Sequence, residues 1–324
     1  MLRIATYNVE LTRAGPGLLL RDIRTGRDPA VEAVVSVLAA LDADVLLLTG
    51  IDYDLQGRAA AGLAARAGYG HVLALRPNSG VASGLDLDGN GRLGEARDAQ
   101  GYGRFAGQAG MAVLSRLPLA EPTDFSALLW ADLPGALLPP DMTPEVRAVQ
   151  RLSTSGHWEV PVLGPGAGLR LLAWYATPPV FDGPEDRNGR RNHDEAAFWL
   201  RLFDGTLATP PPDGAFVLLG QSNLDPLDGE GRPAALRALL GHPRLQDTAP
   251  RGTSGRQDPG QRGDAALDTA LYDFGGLRVE VVLPSAGLQV QASGVLWPPE
   301  TDPLAAVLAA ASRHRPVWVD IVLP

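Results

Sequence analysis

Apolar and polar positions follow two kinds of spacing along the chain, which predict both strands and helices. Residues Leu2 to Val9 alternate as in a half-buried strand, whereas the apolar run from Asp44 to Leu48 is typical of a strand covered on both faces. Helical spacing of apolar residues predicts a helix over 29–41 with Asp28 as its N-cap, and the Ala-rich stretch 57–68 predicts another. The first part is therefore strand, helix, strand, helix.

The same patterns continue to the end of the chain. Further strands are predicted at 111–114, 152–162, 169–175, 216–219, 277–283, 288–291 and 317–323, and helices at 194–207 and 303–311. Stretches rich in Gly, Asp or Pro predict long loops at about 76–110, 117–145 and 247–266. Strands recur in both halves without a linker-like break. We therefore expect a single domain over residues 1–324, of the α/β (α+β) class, with two packed sheets and outer helices.

Composition narrows the classes of function. The chain has 324 residues, a net charge of −9 and no cysteine, so disulfides, thiolate metal sites and cysteine nucleophiles are excluded. An acidic surface repels phosphodiester backbones, so we expect no general nucleic-acid binding. No stretch approaches the ~18 apolar residues that span a bilayer, and the N-terminus lacks a signal-peptide pattern. A cytoplasmic location without a transmembrane segment is the resulting expectation.

Seven short motifs, most of them at the ends of predicted strands, carry the functional information. They are TYNV at 6–9, ADVLLLTGI at 43–51, GQAGMAVLSR at 107–116, LLAWYATPP at 171–179, LLGQSN at 218–223, RVEVVLPS at 278–285 and SRHRPV at 312–317. In this order the series resembles the endonuclease/exonuclease/phosphatase superfamily over almost the whole chain. The resemblance implies a four-layer α/β sandwich with its site at the strand ends. It also implies cleavage of phosphoester bonds in nucleic acids, inositol phosphates or phospholipids, usually with magnesium.

Four positions keep the residues of the family's site or stay close to them. Asn8 and Asn223 match asparagines that fix the geometry, and His314 matches the catalytic histidine of the last motif. Glu280 replaces an aspartate, which retains the negative charge but moves it by one methylene. These residues form the outline of a catalytic site.

At four other positions the chemistry is lost. Gly50 stands in place of the metal-binding Glu and has no ligand atom, and Gln221 stands in place of an Asp, although an amide cannot take a proton from water. Tyr175 replaces a His, and its phenol, with a pKa of ~10, substitutes poorly for imidazole. Arg313 replaces the Asp before His314, so a fixed positive charge would disfavour protonated His314. Each such loss commonly costs on the order of 10² to 10⁴ in rate.

Two functions follow from this mixture. The first is a catalytically impaired pseudoenzyme that acts as a binding or structural module, with a protein partner or an anionic, phosphate-containing ligand. The alternative is a divergent phosphoesterase that depends on Mg²⁺ or Mn²⁺. In that case Asp52, two residues past Gly50 on the same strand face, would help to hold a divalent ion in the cleft.

A separate motif, DLDGNGR at 86–92, has oxygen ligands at loop positions one, three and five and a glycine at position six, as in an EF-hand loop. Position twelve is Arg97, so Asp98 or Glu95 would have to close the site. The candidate Ca²⁺ ligands are Asp86, Asp88, Asn90, Arg92 and Asp98. A Gly/Asp turn without metal explains the same residues, and either reading makes the loop structural rather than catalytic.

The stretch 177–195 is dense in polar residues and follows a strand whose end should border the cleft. Its arginines, Arg187, Arg190 and Arg191, have the chemistry to bind an anion such as phosphate. The alternative, favoured by the balance of acids and bases, is a loop that its own Arg to Asp or Glu pairs cross-link.

Overall fold

The structure is a computed structural model that describes residues 1–164 and 168–323. The strands are β1 (Leu2–Leu11), β2 (Val45–Ile51), β3 (His71–Leu73), β4 (Gly110–Ser115), β5 (Thr123–Asp124), β6 (Gly156–Val162), β7 (Leu169–Tyr175), β8 (Phe216–Gln221), β9 (Ala270–Tyr272), β10 (Gly275–Leu277), β11 (Glu280–Pro284), β12 (Gln289–Val295) and β13 (Val317–Val322). The helices are α1 (Leu18–Thr25), α2 (Pro29–Leu41), α3 (Arg58–Arg66), α4 (Pro144–Arg147), α5 (Arg187–Phe203), α6 (Ala234–Leu240) and α7 (Pro303–Ala311).

The strands form two mixed sheets and a separate antiparallel hairpin of β9 and β10. One has six strands in the order β12-β13-β1-β2-β4-β3, and the other has five in the order β11-β8-β7-β6-β5. In each sheet one central pair is parallel, β1 with β2 and β7 with β8, and the other pairs are antiparallel. The carboxyl ends of both parallel pairs carry motif residues, which is how motifs far apart in sequence can meet.

Three apolar clusters hold the two sheets and the helices together. One lies between the sheets and contains buried residues of both, such as Val45 and Leu171. The second covers the outer face of the six-stranded sheet with α1, α2, α3 and α7, and the third covers the five-stranded sheet with α5 and α6. The predicted α/β sandwich of two packed sheets flanked by helices is confirmed. Among the described residues, no helix combines the length and the apolar character needed to cross a membrane.

Helix α5 begins seven residues before the predicted start at 194. Its first half was missed because the face it buries is polar: Arg191, Asn192, Asp194 and Glu195 are each at most 6% exposed. These side chains hydrogen-bond backbone groups of neighbouring loops, so burying them leaves few unpaired polar atoms. Apolar periodicity cannot detect a helix whose buried face is built this way.

The three arginines of this region donate to backbone carbonyls. Arg191 donates to the carbonyls of Gln100, Arg151, Leu152 and Ser153. Arg187 reaches the carbonyl of Leu87 and the Gln150 amide oxygen, and Arg190 reaches the carbonyl of Glu185. Arg187 and Arg191 therefore tie the long segment 76–110 and the chain around 150 to α5.

Candidate functional site

The strand ends of the two sheets meet around one cavity of about 820 Å³. Seven of the eight motif positions singled out from the sequence line it: Asn8, Gly50, Tyr175, Gln221, Asn223, Arg313 and His314. The eighth, Glu280, lies directly behind His314. Folding thus brings the kept and the substituted positions together.

Gly50 lies at the floor of the cavity, where its backbone conformation and its neighbours exclude a side chain. Its φ is +67°, a backbone conformation that L-residues with side chains rarely adopt. A Cβ at this position would stand 2.2 Å from Asn8 Oδ1 and 3.3 Å from the Glu10 backbone nitrogen. Asn8 Oδ1 also accepts a hydrogen bond from that nitrogen at 2.9 Å. The side chain of Asn8 therefore occupies the space that a side chain at position 50 would need.

Gln221 is held by hydrogen bonds at both ends of its amide. Its Oε1 accepts from Asn8 Nδ2 at 2.5 Å and from Thr49 Oγ1 at 3.1 Å. Its Nε2 donates to Asn223 Oδ1 at 2.5 Å, and Asn223 in turn donates to the carbonyl of Ala176. The result is a continuous chain of neutral amides across the cavity floor. None of these groups can act as a base near neutral pH.

Glu280 and His314 form the best preserved part of the site. Nδ1 of His314 lies 2.5 Å from Glu280 Oε1, and both side chains are almost completely buried. The bond fixes the ring, as an acidic partner commonly does for a catalytic imidazole. The other carboxylate oxygen of Glu280 has no partner among the described residues.

Arg313 forms an ion pair with Glu10, a residue that the sequence motifs did not single out. Its Nε donates to Glu10 Oε1 at 2.7 Å, while its backbone nitrogen and Ser312 Oγ donate to Glu10 Oε2. Burial raises the pKa of Glu10, but these donors and His314 together bring it below its usual value. The positive charge at position 313 is therefore balanced by Glu10, and Glu280 supplies the partner of His314.

Tyr175 completes the wall. It is half-buried at the end of β7, and burial raises its pKa to about 12. The phenol therefore stays neutral at any ordinary pH. It offers a hydrogen bond but neither a charge nor a proton acceptor of imidazole strength.

Comparison with known proteins identifies the group to which this site is related. The sequence model of the Endonuclease/Exonuclease/phosphatase family matches residues 5–314. The chain belongs to this endonuclease/exonuclease/phosphatase family. A search of curated proteins found no match.

Several solved structures share the fold at low sequence identity. An endonuclease/exonuclease/phosphatase from Beutenbergia cavernae is 19% identical, with a TM-score of 0.57, over 99% of this chain and 71% of that one. An AP endonuclease from Archaeoglobus fulgidus is 15% identical, with a TM-score of 0.55, over all of both chains. Sphingomyelinase C from Streptomyces griseocarneus is 15% identical, with a TM-score of 0.53, over 98% of each.

The cleft does not fit the divalent metal that family membership implies. Asp52 is only 5% exposed, and its oxygens accept from the backbone nitrogens of Arg13 at 2.8 Å and Ala109 at 3.1 Å. It does not line the cavity. Among the described residues, the only cluster of three or more acidic or histidine side chains with converging ligand atoms lies elsewhere. Mg²⁺ prefers carboxylate oxygens in octahedral geometry, and the cavity floor offers amides.

That cluster is the loop predicted to bind calcium. Carboxylate oxygens of Asp86, Asp88 and Asp98 lie within 4.8 Å of one another. Asp86 also accepts from the backbone nitrogens of Asn90 and Gly91, and Asp98 accepts from those of Leu87 and Glu95. The side chain of Arg92 forms an ion pair with Glu95. None of these residues lines the cleft.

Several residues that shape the cavity were missed from the sequence. Glu10 directly follows the first motif, and its role depends on Arg313, which is 303 residues away. Phe181, Glu230, Tyr272, Asp273 and Phe274 also line the cavity. They lie on a loop after β7, a loop after β8 and the β9–β10 hairpin, where no periodic pattern marks a side chain as functional.

Proposed function

We propose that this protein is a binding module of the endonuclease/exonuclease/phosphatase family whose cleft no longer carries out metal-dependent hydrolysis. The contact between Asn8 and Gly50 carries the proposal. A metal-binding side chain at position 50 is absent, and the volume it would enter is filled by an amide that is bonded to its neighbours.

The amide of Gln221 supports the same conclusion. In the family chemistry a carboxylate at this position would position or deprotonate water. Gln221 has both ends of its amide engaged by neutral partners. A water in the cleft would therefore find no general base at this position.

One observation favours the alternative, a divergent phosphoesterase. The Glu280–His314 pair is intact, and His314 lines the cavity. Such a pair can transfer a proton to or from a bound phosphate group. The amide of Gln221 cannot activate the nucleophile as the family's carboxylate would, so we place this function behind the first.

Manganese binding separates the two proposals. Free Mn²⁺ can be counted by its electron paramagnetic resonance signal in a variant with Asp86→Asn and Asp88→Asn, which removes the acidic loop as a competing site. We expect no bound Mn²⁺ in that variant. Bound Mn²⁺ that disappears on adding Glu280→Gln would support the phosphoesterase instead.

We also propose that Ca²⁺ closes the 86–98 loop as a structural ion. The converging oxygens of Asp86, Asp88 and Asp98 support this proposal, as does Gly91, which has a φ of +82° at the turn position of the loop. Bound calcium would replace repulsion between the carboxylates with attraction to one cation.

A further inference from the structure

The lining of the cleft carries more negative than positive charge. Among the described residues, its carboxylates are Glu10, Asp225, Asp228, Glu230 and Asp273, and its one arginine is Arg313. Three of these acids are occupied, Glu10 by Arg313 and the other two mainly by backbone amides. Glu230 and Asp273 are exposed, and neither has a hydrogen-bond or ion-pair partner among the described residues.

Exposed aromatic rings stand at the rim of the same cavity. The side chains of Phe181 and Phe274 are 82% and 75% exposed, which is unusual for phenylalanine. Phe181 has a φ of +72°, a strained conformation for a bulky residue and one that tends to occur at functional positions. Phe274 stacks on Tyr272 with the ring centroids 5.2 Å apart and the planes 1° from parallel.

One side chain of the protein, Arg313, already places a cationic group in this cleft. The guanidinium of Arg313 is bonded to Glu10 at 2.7 Å, and its carbon lies 5.7 Å from the centroid of the Tyr272 ring. A carboxylate on one side and an aromatic face on another are the two contacts that hold a desolvated organic cation. Glu230, Asp273, Phe181 and Phe274 bring the same two kinds of group, carboxylates and aromatic rings, to the lining of the cavity.

We propose that the cleft binds a small organic cation, an amine or guanidinium on an apolar body. The unpaired carboxylates of Glu230 and Asp273 would receive the charge, and Phe181 and Phe274 would cover the apolar part. A cavity of about 820 Å³ suits such a ligand. This inference rests on the proposed binding function, since an active phosphoesterase cleft would have to attract phosphate instead. The anionic, phosphate-containing ligand predicted from the sequence becomes an outcome of the test.

Three probes that share an indole ring and differ in charge provide the test. Tryptamine is a cation, tryptophol is neutral and indole-3-acetate is an anion at neutral pH. Isothermal titration of the full chain at low ionic strength and with EDTA should show tryptamine binding about tenfold more tightly than indole-3-acetate. Added salt should weaken only the tryptamine complex substantially.

Variants show whether the preference comes from the cleft. Glu230→Gln with Asp273→Asn should weaken tryptamine severalfold and leave tryptophol unchanged, whereas Phe274→Ala should weaken both probes. The matched control, Glu121→Gln with Glu300→Gln, removes two exposed acids outside the cavity lining and should change neither. All four positions of the charge variants are exposed, so unfolding is not expected, and thermal melting checks this.

Tighter binding of indole-3-acetate or inorganic phosphate than of tryptamine would overturn the inference. The absence of binding by all three probes at millimolar concentration would do so as well, as would an equal loss in the control variant. A parallel assay for metal-dependent phosphoester hydrolysis keeps the two proposals apart. Hydrolysis together with selective tryptamine binding would refute only the loss of catalysis, and anion-selective binding without hydrolysis would refute only the cation preference.

Discussion

The side-chain oxygen of Asn8 lies 2.2 Å from the point where a Cβ on Gly50 would stand. The glycine also has a left-handed φ of +67°, and the same Asn8 oxygen caps the backbone nitrogen of Glu10. The surrounding structure thus favours a glycine at position 50. Restoring an acid there requires Asn8 to move and the backbone to change conformation.

Gly50→Ala should therefore destabilise the protein by more than the cost of placing an alanine in a left-handed conformation. We expect a loss of roughly 2 to 4 kcal/mol in the free energy of unfolding, from backbone strain and from overpacking against Asn8. Gly26→Ala is the matched control, since Gly26 has a φ of +60° with no atom within 4 Å of an added Cβ. It should cost only about 1 kcal/mol, and urea denaturation measures both.

A double-mutant cycle isolates the clash. In an Asn8→Ala background, the cost of Gly50→Ala should fall to about that of Gly26→Ala, because the amide that blocks the Cβ is gone. An unchanged cost in that background would mean that Asn8 is not the obstacle.

Arg313→Asp, which introduces the residue that the family resemblance implies here, should also weaken this fold. The new carboxylate would face Glu10, whose oxygens now accept hydrogen bonds from Arg313 and Ser312. Both side chains are partly exposed, so we expect Arg313→Asp to cost about 1 kcal/mol more than Arg313→Asn. This difference should disappear when Glu10 is changed to Gln, and its persistence there would show that Glu10 is not the partner.

Sequence patterns predicted the sandwich well because both sheets are built from apolar strands. The predicted helices at 29–41 and 303–311 match α2 and α7 residue for residue. The first half of α5 was missed because residues such as Asn192 and Glu195 are polar and fully buried. Burial of polar groups depends on partners that are distant in sequence, which a local pattern cannot show.

The substituted motif positions were found from the sequence, but their surroundings were not. Which side chain would take up the space at Gly50 or pair with Arg313 depends on contacts between different strands. The clash with Asn8 needs a left-handed backbone at Gly50, and the ion pair with Glu10 joins opposite ends of the chain. The pairing of Arg313 with Glu10 was therefore not predicted from the sequence.

His157 predicts part of the pH dependence of stability. It is fully buried, bonded to Ser153 Oγ and the carbonyl of Glu195, and burial lowers its pKa from 6.5 to about 4. The unfolded chain takes up a proton at higher pH than the folded one. Its contribution is therefore complete above pH 6.5 and is lost as the pH falls towards 4, on the order of 3 kcal/mol in total.

The difference in unfolding free energy between wild type and His157→Gln isolates this effect. It is needed because Glu195, whose pKa burial raises to about 7, acts in the opposite direction: its contribution falls as the pH rises from 4.5 to 7. The contribution of Glu195 largely cancels in the difference, because both proteins contain it. The difference should shrink steadily between pH 6.5 and 4, and a constant difference would contradict the assignment to His157.

Calcium should raise the melting temperature by several degrees if it closes the 86–98 loop. Asp88→Ala should abolish the rise, because it removes one of the three converging carboxylates. Glu121→Gln, which removes an exposed acid outside this cluster, should leave it intact. A full calcium effect in Asp88→Ala would place the ion elsewhere.

The proposed loss of catalysis is tested most directly by phosphoester turnover. Wild type should be assayed on bis-(p-nitrophenyl) phosphate and p-nitrophenyl phosphate with Mg²⁺, Mn²⁺ and Ca²⁺, beside the Tyr175→His, Gln221→Asp revertant and a His314→Ala variant. We predict that wild type releases p-nitrophenol no faster than His314→Ala does. Turnover by wild type that both EDTA and His314→Ala abolish would contradict the account.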